Sequence, residues 1–230
     1  METRTGTAAA QLQRGLLIEA DLAVLPGTDL MMAACKAPLS HAGVKLDRDL
    51  FVRCIFGRPL TKGVEALLDR QGKSTSSAGE VAGEIAAKYA EALQGAAGKA
   101  RDAILAMSKN VAGRGVKVGL ITQLPEEAAR ECFADGIAEG VHILPDTAAI
   151  ACVHGWESWR RASHKLQIRE RLCVAIAVPG SVRGALAASM RVVAIADPAQ
   201  EHADCGGADL LTETFDAAAR ATTLALLRMD

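Results

Sequence analysis

Four short apolar runs, rich in Val and Ile and set far apart, constrain this chain more than any other feature. They are Gly15-Leu16-Leu17-Ile18, Val116-Lys117-Val118-Gly119-Leu120-Ile121, Leu172-Cys173-Val174-Ala175-Ile176-Ala177-Val178 and Arg191-Val192-Val193-Ala194-Ile195-Ala196. Near-continuous runs of this length suit strands buried on both faces, as in a parallel sheet. Helical patterns separate them. Lys99–Ala112 carries Ala103, Ile104, Met107 and Val111 at 3/4 spacing and stops at Gly113-Arg114-Gly115. Pro125–Cys132 opens on proline followed by two glutamates, which suits a helix N-terminus, and Ser181–Ser189 reads as a third short helix. Strands alternating with helices predict a doubly wound α/β parallel sheet of Rossmann type, with strands at 15–20, 116–121, 172–178 and 191–196.

The stretch from residue 30 to 95 differs. It is helical in pattern and falls between the first two strands, where a crossover needs only a dozen residues or so. An inserted helical subdomain is predicted there, with Gln71–Ser77 as its exposed loop. The core is then 15–29 with 96–230, and residues 1–14 form a flexible polar extension. Gly72-Lys73-Ser74 imitates a phosphate-binding loop, but Leu67 stands where that motif needs glycine and no strand precedes it.

Composition removes several functions. The chain has 230 residues, 50% of them hydrophobic, enough for a packed core. A formal net charge of −1 gives no footprint for nucleic-acid phosphates or anionic membranes, and 3% aromatic content argues against base-stacking platforms. The six cysteines (35, 54, 132, 152, 173 and 205) include no Cys-x-x-Cys pair, so they read as free thiols in a reducing compartment. With no apolar run of about 18 residues free of charge and no signal-peptide pattern, a soluble cytoplasmic protein is expected.

Three segments carry a resemblance. Pro179-Gly180-Ser181-Val182-Arg183-Gly184-Ala185-Leu186-Ala187-Ala188-Ser189-Met190-Arg191-Val192-Val193-Ala194-Ile195 reads like a helix and following strand of the haloacid dehalogenase-like (HAD) superfamily. Leu39–Asp47 with Phe56-Gly57-Arg58-Pro59-Leu60 is similar to the start of that family's helical cap, and Ala208-Asp209-Leu210-Leu211 to its closing segment. The chain thus resembles the phosphoglycolate-phosphatase type of HAD protein from Gly15 onward.

The resemblance implies a phosphoryl-transfer site of four motifs. The first is an aspartate nucleophile and an acid/base aspartate two residues on. Counting back from Ala42-Gly43-Val44 puts Glu19 and Asp21 there, with Leu22-Ala23 in place of Gly-Thr. A rival register takes Gly27-Thr28 as the Gly-Thr and puts Val24 and Pro26 at the two positions. The second motif is Thr122, which also reads as a residue of a helix N-cap region. The third, a lysine, falls near Val153-His154-Gly155-Trp156, where there is none; His154 reads as a surface or loop histidine, and Lys165 is the nearest lysine. The fourth, a metal-binding carboxylate, falls at Ala177-Val178.

Glu19, Asp21 and Thr122 are therefore the candidate catalytic residues, with Glu19 and Asp21 the only first-motif oxygens for a weakly held Mg²⁺. Two functions follow. One is a pseudoenzyme with a binding or regulatory role, without cofactor, whose partner is a small molecule or a protein. The other is an active phosphatase of small phosphorylated metabolites that uses Glu19, Asp21 and Mg²⁺.

Overall fold

The computed structural model describes residues 13–96, 102–134, 137–146 and 154–229. Six strands form one sheet: β1 (Gly15–Glu19), β2 (Lys117–Thr122), β3 (Val141–Pro145), β4 (Cys173–Ala177), β5 (Arg191–Ile195) and β6 (Leu210–Thr212). Every pairing is parallel, in the order β3-β2-β1-β4-β5-β6. The four predicted strands are present, with their ends moved by a residue or two. Two outer strands were not foreseen. In β3 the exposed His142 breaks an already short apolar run, and β6 has only three residues.

Successive side chains of β1 enter different cores, as strand alternation requires. Leu16 and Ile18 join one cluster with Val118, Leu120, Leu105 of α5 (Asp102–Ala112) and Ala129 of α6 (Glu126–Cys132). Leu17 joins the opposite cluster with Trp159 and Ala162 of α7 (Trp156–Lys165) and Val182 and Ala185 of α8 (Pro179–Ala187). Gly119 in β2 is where the second layer closes in, since a Cβ there would overlap Leu144 and Leu17. α9 (Ala217–Leu226) follows β6 and buries Ala219 in the first cluster.

Between β1 and β2 the described chain is helical. A buried π-type turn, Ala20–Val24, closes with Leu25 N–H donating to Ala20 O at 3.1 Å. α1 (Gly27–His41) follows, then α2 (Arg48–Leu50) running into a second π-type turn at Phe51–Ile55, then α3 (Leu60–Arg70) and α4 (Ala78–Gln94). α1 and α3 both lie against α4. Their interior of Met31, Leu39, Phe51, Ile55, Leu67, Ile85 and Leu93 continues into Leu22, Leu25, Leu16 and Ile18 without a break. The helices are thus packed down on the sheet by the hydrophobic effect.

Strand order reverses between β1 and β4, the chain passing outward to β2 and β3 and then returning. In sheets of this order the crevice at the carboxyl ends of such strands is where ligands bind. Residues 1–12, 97–101, Cys152 and Val153 lie outside the described residues, and with them most of the amino-terminal extension and the start of the predicted 99–112 helix.

Candidate functional site

Glu19 is the last residue of β1, opposite Ile121 of β2. Its carboxyl group is fully buried and reaches sideways to the end of β4. Oε2 accepts Val178 N–H at 3.0 Å, and Oε1 accepts the Ser181 hydroxyl at 2.6 Å. Val178 is the N-cap of α8 and Pro179 its first residue. A carboxylate here satisfies the N-cap N–H and the Ser181 hydroxyl and faces the positive end of the helix dipole. The longer glutamate side chain serves this reach.

Asp21 sits within the π-type turn, also fully buried. Oδ1 accepts the Thr122 hydroxyl at 2.5 Å, and Oδ2 accepts Gln123 N–H at 2.7 Å. Thr122 Oγ1 in turn accepts Leu124 N–H at 3.1 Å, a local turn bond of the capping kind. Glu19, Asp21 and Thr122 are thus brought together at the carboxyl edge of β1 and β2. In the rival register, Val24 is a buried apolar side chain of the turn, and Pro26 precedes α1. Neither offers a donor or acceptor side chain.

His154 is not a surface histidine. It is 1% exposed and sits inside the cluster. Its N–H donates to Ser181 Oγ at 2.9 Å, its carbonyl accepts Trp159 Nε1–H at 3.2 Å, and its Nδ1 lies 3.3 Å from Asp146 Oδ2. Its Nε2 stands 3.9 Å from Glu19 Oε1. Asp146 also accepts from Arg161 at 2.9 Å. Glycine at 184 permits this arrangement, because a Cβ there would overlap the His154 carbonyl. The sequence reading failed because the partners lie 8, 27 and 135 residues away. Lys165 is exposed at the end of α7, where it donates to Pro145 O at 3.3 Å, and does not substitute for the missing lysine.

A second polar group borders the site. Asp197, just past β5, accepts the Thr28 hydroxyl at 2.5 Å and Gln200 Nε2–H at 2.9 Å, while Gln200 Oε1 accepts Gly180 N–H at 2.7 Å. It pins α1 to the start of α8. An acidic residue two positions beyond a buried strand was the available signal, and it went unread.

Burial dominates the electrostatics. Desolvation pushes Glu19 up to about 7; His154, the Ser181 bond and the Val178 bond pull the other way without cancelling it. Asp21 is likewise raised by desolvation, against its bonds to Thr122 and Gln123. For His154 burial favours the neutral ring, but Asp146, Glu19 and Asp21 outweigh it and the imidazole is held above its ordinary value. Burial would raise Asp146, yet bonds from His154, Ser158 and Arg161 hold it well below the usual carboxylate range.

These residues make only a partial shell for Mg²⁺. That ion needs an octahedral shell of oxygens. Here both oxygens of Glu19 and both of Asp21 already accept N–H or O–H bonds, and the end of β4 presents an N–H donor. Among the described residues no group of three His, Cys, Asp or Glu is arranged to hold a metal ion.

No protein-family model and no curated protein sequence matches the chain. Solved structures do. CbbY from Rhodobacter sphaeroides, crystallised with phosphate, superposes with a TM-score of 0.70 at 16% identity, covering 89% of this chain and 95% of that one. β-Phosphoglucomutase from Clostridium difficile gives 0.70 at 13% identity, covering 96% and 100%. A HAD-family hydrolase from Deinococcus radiodurans, with bound phosphate and sodium, gives 0.61 at 16%, covering 95% and 97%. The chain has the HAD-like fold. No helix among its described residues is long and apolar enough to cross a membrane.

Proposed function

We propose that this protein is a HAD-fold pseudoenzyme, its helices over residues 30–95 standing in the place of a cap and its role one of binding or regulation toward a small molecule or a protein in the cytoplasm. One observation carries the reading. The carboxyl group at the nucleophile position, Glu19, has no exposed surface and is held by Val178 N–H on one oxygen and Ser181 O–H on the other, at the head of α8. A nucleophile must present an oxygen to the reacting atom from about 3–3.5 Å, and a side chain with no accessible surface presents none. The Thr122 hydroxyl is likewise engaged by Asp21. The cluster does what a buried polar network does, joining β1, β2, β4 and α8 with its oxygens satisfied. Neither a lysine at residue 154 nor a carboxylate at the end of β4 supplies the charge that phosphoryl transfer requires.

A second reading, an active phosphatase working through Glu19 and Asp21, is favoured by His154, whose ring lies beside Glu19 with its proton affinity raised and, when protonated, offers one cation to an incoming phosphate. Hydrolysis of p-nitrophenyl phosphate and a panel of sugar phosphates, with and without Mg²⁺, separates the two. The pseudoenzyme reading expects turnover no greater than that of Glu19→Ala. Turnover that vanishes in Glu19→Ala would establish the phosphatase.

A further inference from the structure

A groove of about 460 Å³ lies between α7, the turn Glu170–Leu172 and the carboxyl end of α8, with its Trp156 wall two residues from His154 and its other walls farther from the Glu19 cluster. Arg169 and Arg171 come just before β4, and Ser189 just before β5, so these walls stand at the amino ends of the strands. Glu19, Asp21 and Thr122 stand at the opposite ends. At about 3.3 Å per residue, the five residues of β4 put roughly 16 Å between the two edges.

The lining is unusual for a chain of net charge −1. Trp156, Arg160, Arg169, Glu170, Arg171 and Ser189 face the groove. Trp156 is 44% exposed, in contrast to the fully buried Trp159. The Arg160 guanidinium lies 6.0 Å from the Trp156 ring centroid, a cation–π distance. Glu170 is taken up by His164 at 3.0 Å and Arg160 at 3.6 Å. Arg169 and Arg171 form no ion pair among the described residues. Ser189 holds φ +63°, a left-handed conformation in which a helix usually ends on glycine.

A half-exposed indole offers stacking to a flat ring. Guanidiniums without carboxylate partners offer paired hydrogen bonds to phosphate oxygens. The cavity is of the size that takes a small organic ligand. We propose that this groove binds a small aromatic anion of the nucleotide type, its ring on Trp156 and its phosphates toward Arg169 and Arg171. This is independent of whether the Glu19 cluster is catalytic.

The two tryptophans supply the assay. ADP titrated into the full-length protein is expected to quench the exposed Trp156 saturably, and calorimetry to give the same affinity. Trp156→Ala and the pair Arg169→Ala/Arg171→Ala should each bind ADP about ten- to hundred-fold more weakly, the range that loss of one stacking platform or of charge-assisted phosphate bonds gives. Unchanged Trp159 fluorescence would certify that each variant is folded. Glu19→Gln should bind ADP as the parent does, which locates the site away from the carboxyl edge. Adenosine or inorganic phosphate binding as tightly as ADP would overturn the proposal, since either ring or charge would then be idle. So would no saturation by millimolar ADP, or capture of a ten-nucleotide RNA under conditions where ADP is not bound.

Discussion

The Ser181 hydroxyl, 2.6 Å from Glu19 Oε1 and 2.9 Å from the His154 backbone nitrogen, ties the end of β1 to the first turn of α8 and to the chain entering α7. One small side chain thus connects three elements that sequence order keeps apart. It gives its proton to the carboxyl group and accepts the amide's, so both of its roles are filled. The fold uses this edge for internal bonding, and the residues that would otherwise meet a substrate meet each other.

Ser181→Ala would leave Glu19 Oε1 without its donor and His154 N–H without its acceptor, both in buried surroundings. Leaving a buried polar group unpaired costs about 1–3 kcal/mol. The variant is expected to lose stability on that scale in urea unfolding, with an unchanged denaturant slope. A loss under about 0.5 kcal/mol would mean that the network contributes nothing.

The raised value of Glu19 makes stability depend on pH in a defined direction. Its folded value of about 7 exceeds the ordinary 4.5, so the folded state holds the proton more tightly. Its contribution is complete below pH 4.5 and is lost as pH rises through 7. The displacement corresponds to about 3 kcal/mol, at 1.36 kcal/mol per unit. The raised His154 acts in the same sense. Stability should therefore fall between pH 5 and 8, and Glu19→Gln should flatten that slope. A parent whose stability rises over this interval would contradict the assignment.

Ser189 can be tested without touching the network. An L side chain in the left-handed region costs about 1–2 kcal/mol, which glycine does not incur. Glycine also loosens the unfolded chain, so the net gain expected for Ser189→Gly is about 1 kcal/mol. Thermal unfolding measures it. A loss of stability would show that the hydroxyl makes a bond stronger than the strain.

How far the sequence could be read depended on how local each signal was. The apolar runs at Leu16–Ile18, Val174–Val178 and Val192–Ile195 are buried on both faces, so composition alone betrays them. β3 and β6 border the sheet, where His142, exposed on one face, and a three-residue run erase the pattern. Glu19, Asp21 and Thr122 were singled out by the family resemblance, counted back from Ala42-Gly43-Val44, with the end of the first apolar run supporting that register. His154 was not. Its burial depends on Asp146 before it and on Ser181 and Gly184 in α8, contacts that no periodicity encodes. The same holds for Asp197 and Thr28, which meet across 169 residues.

The Asp146–His154 pair gives the last test. Asp146 is held ionised by His154, Ser158 and Arg161, and it is the foremost influence favouring the protonated ring of His154 against burial. Asp146→Asn keeps the shape and a hydrogen-bond acceptor but removes the charge. Desolvation then acts on the imidazole with less opposition, and its proton affinity must drop. An NMR titration of the His154 ring should show the midpoint moving down, at a stability cost of about 2 kcal/mol for the lost charge-assisted bonds. Glu19 should respond as well, since a less protonated neighbour pulls its value down less, leaving Glu19 neutral to still higher pH. If the His154 midpoint stays where it was, Glu19 and Asp21 alone sustain the charged ring, and Asp146 serves only Arg161.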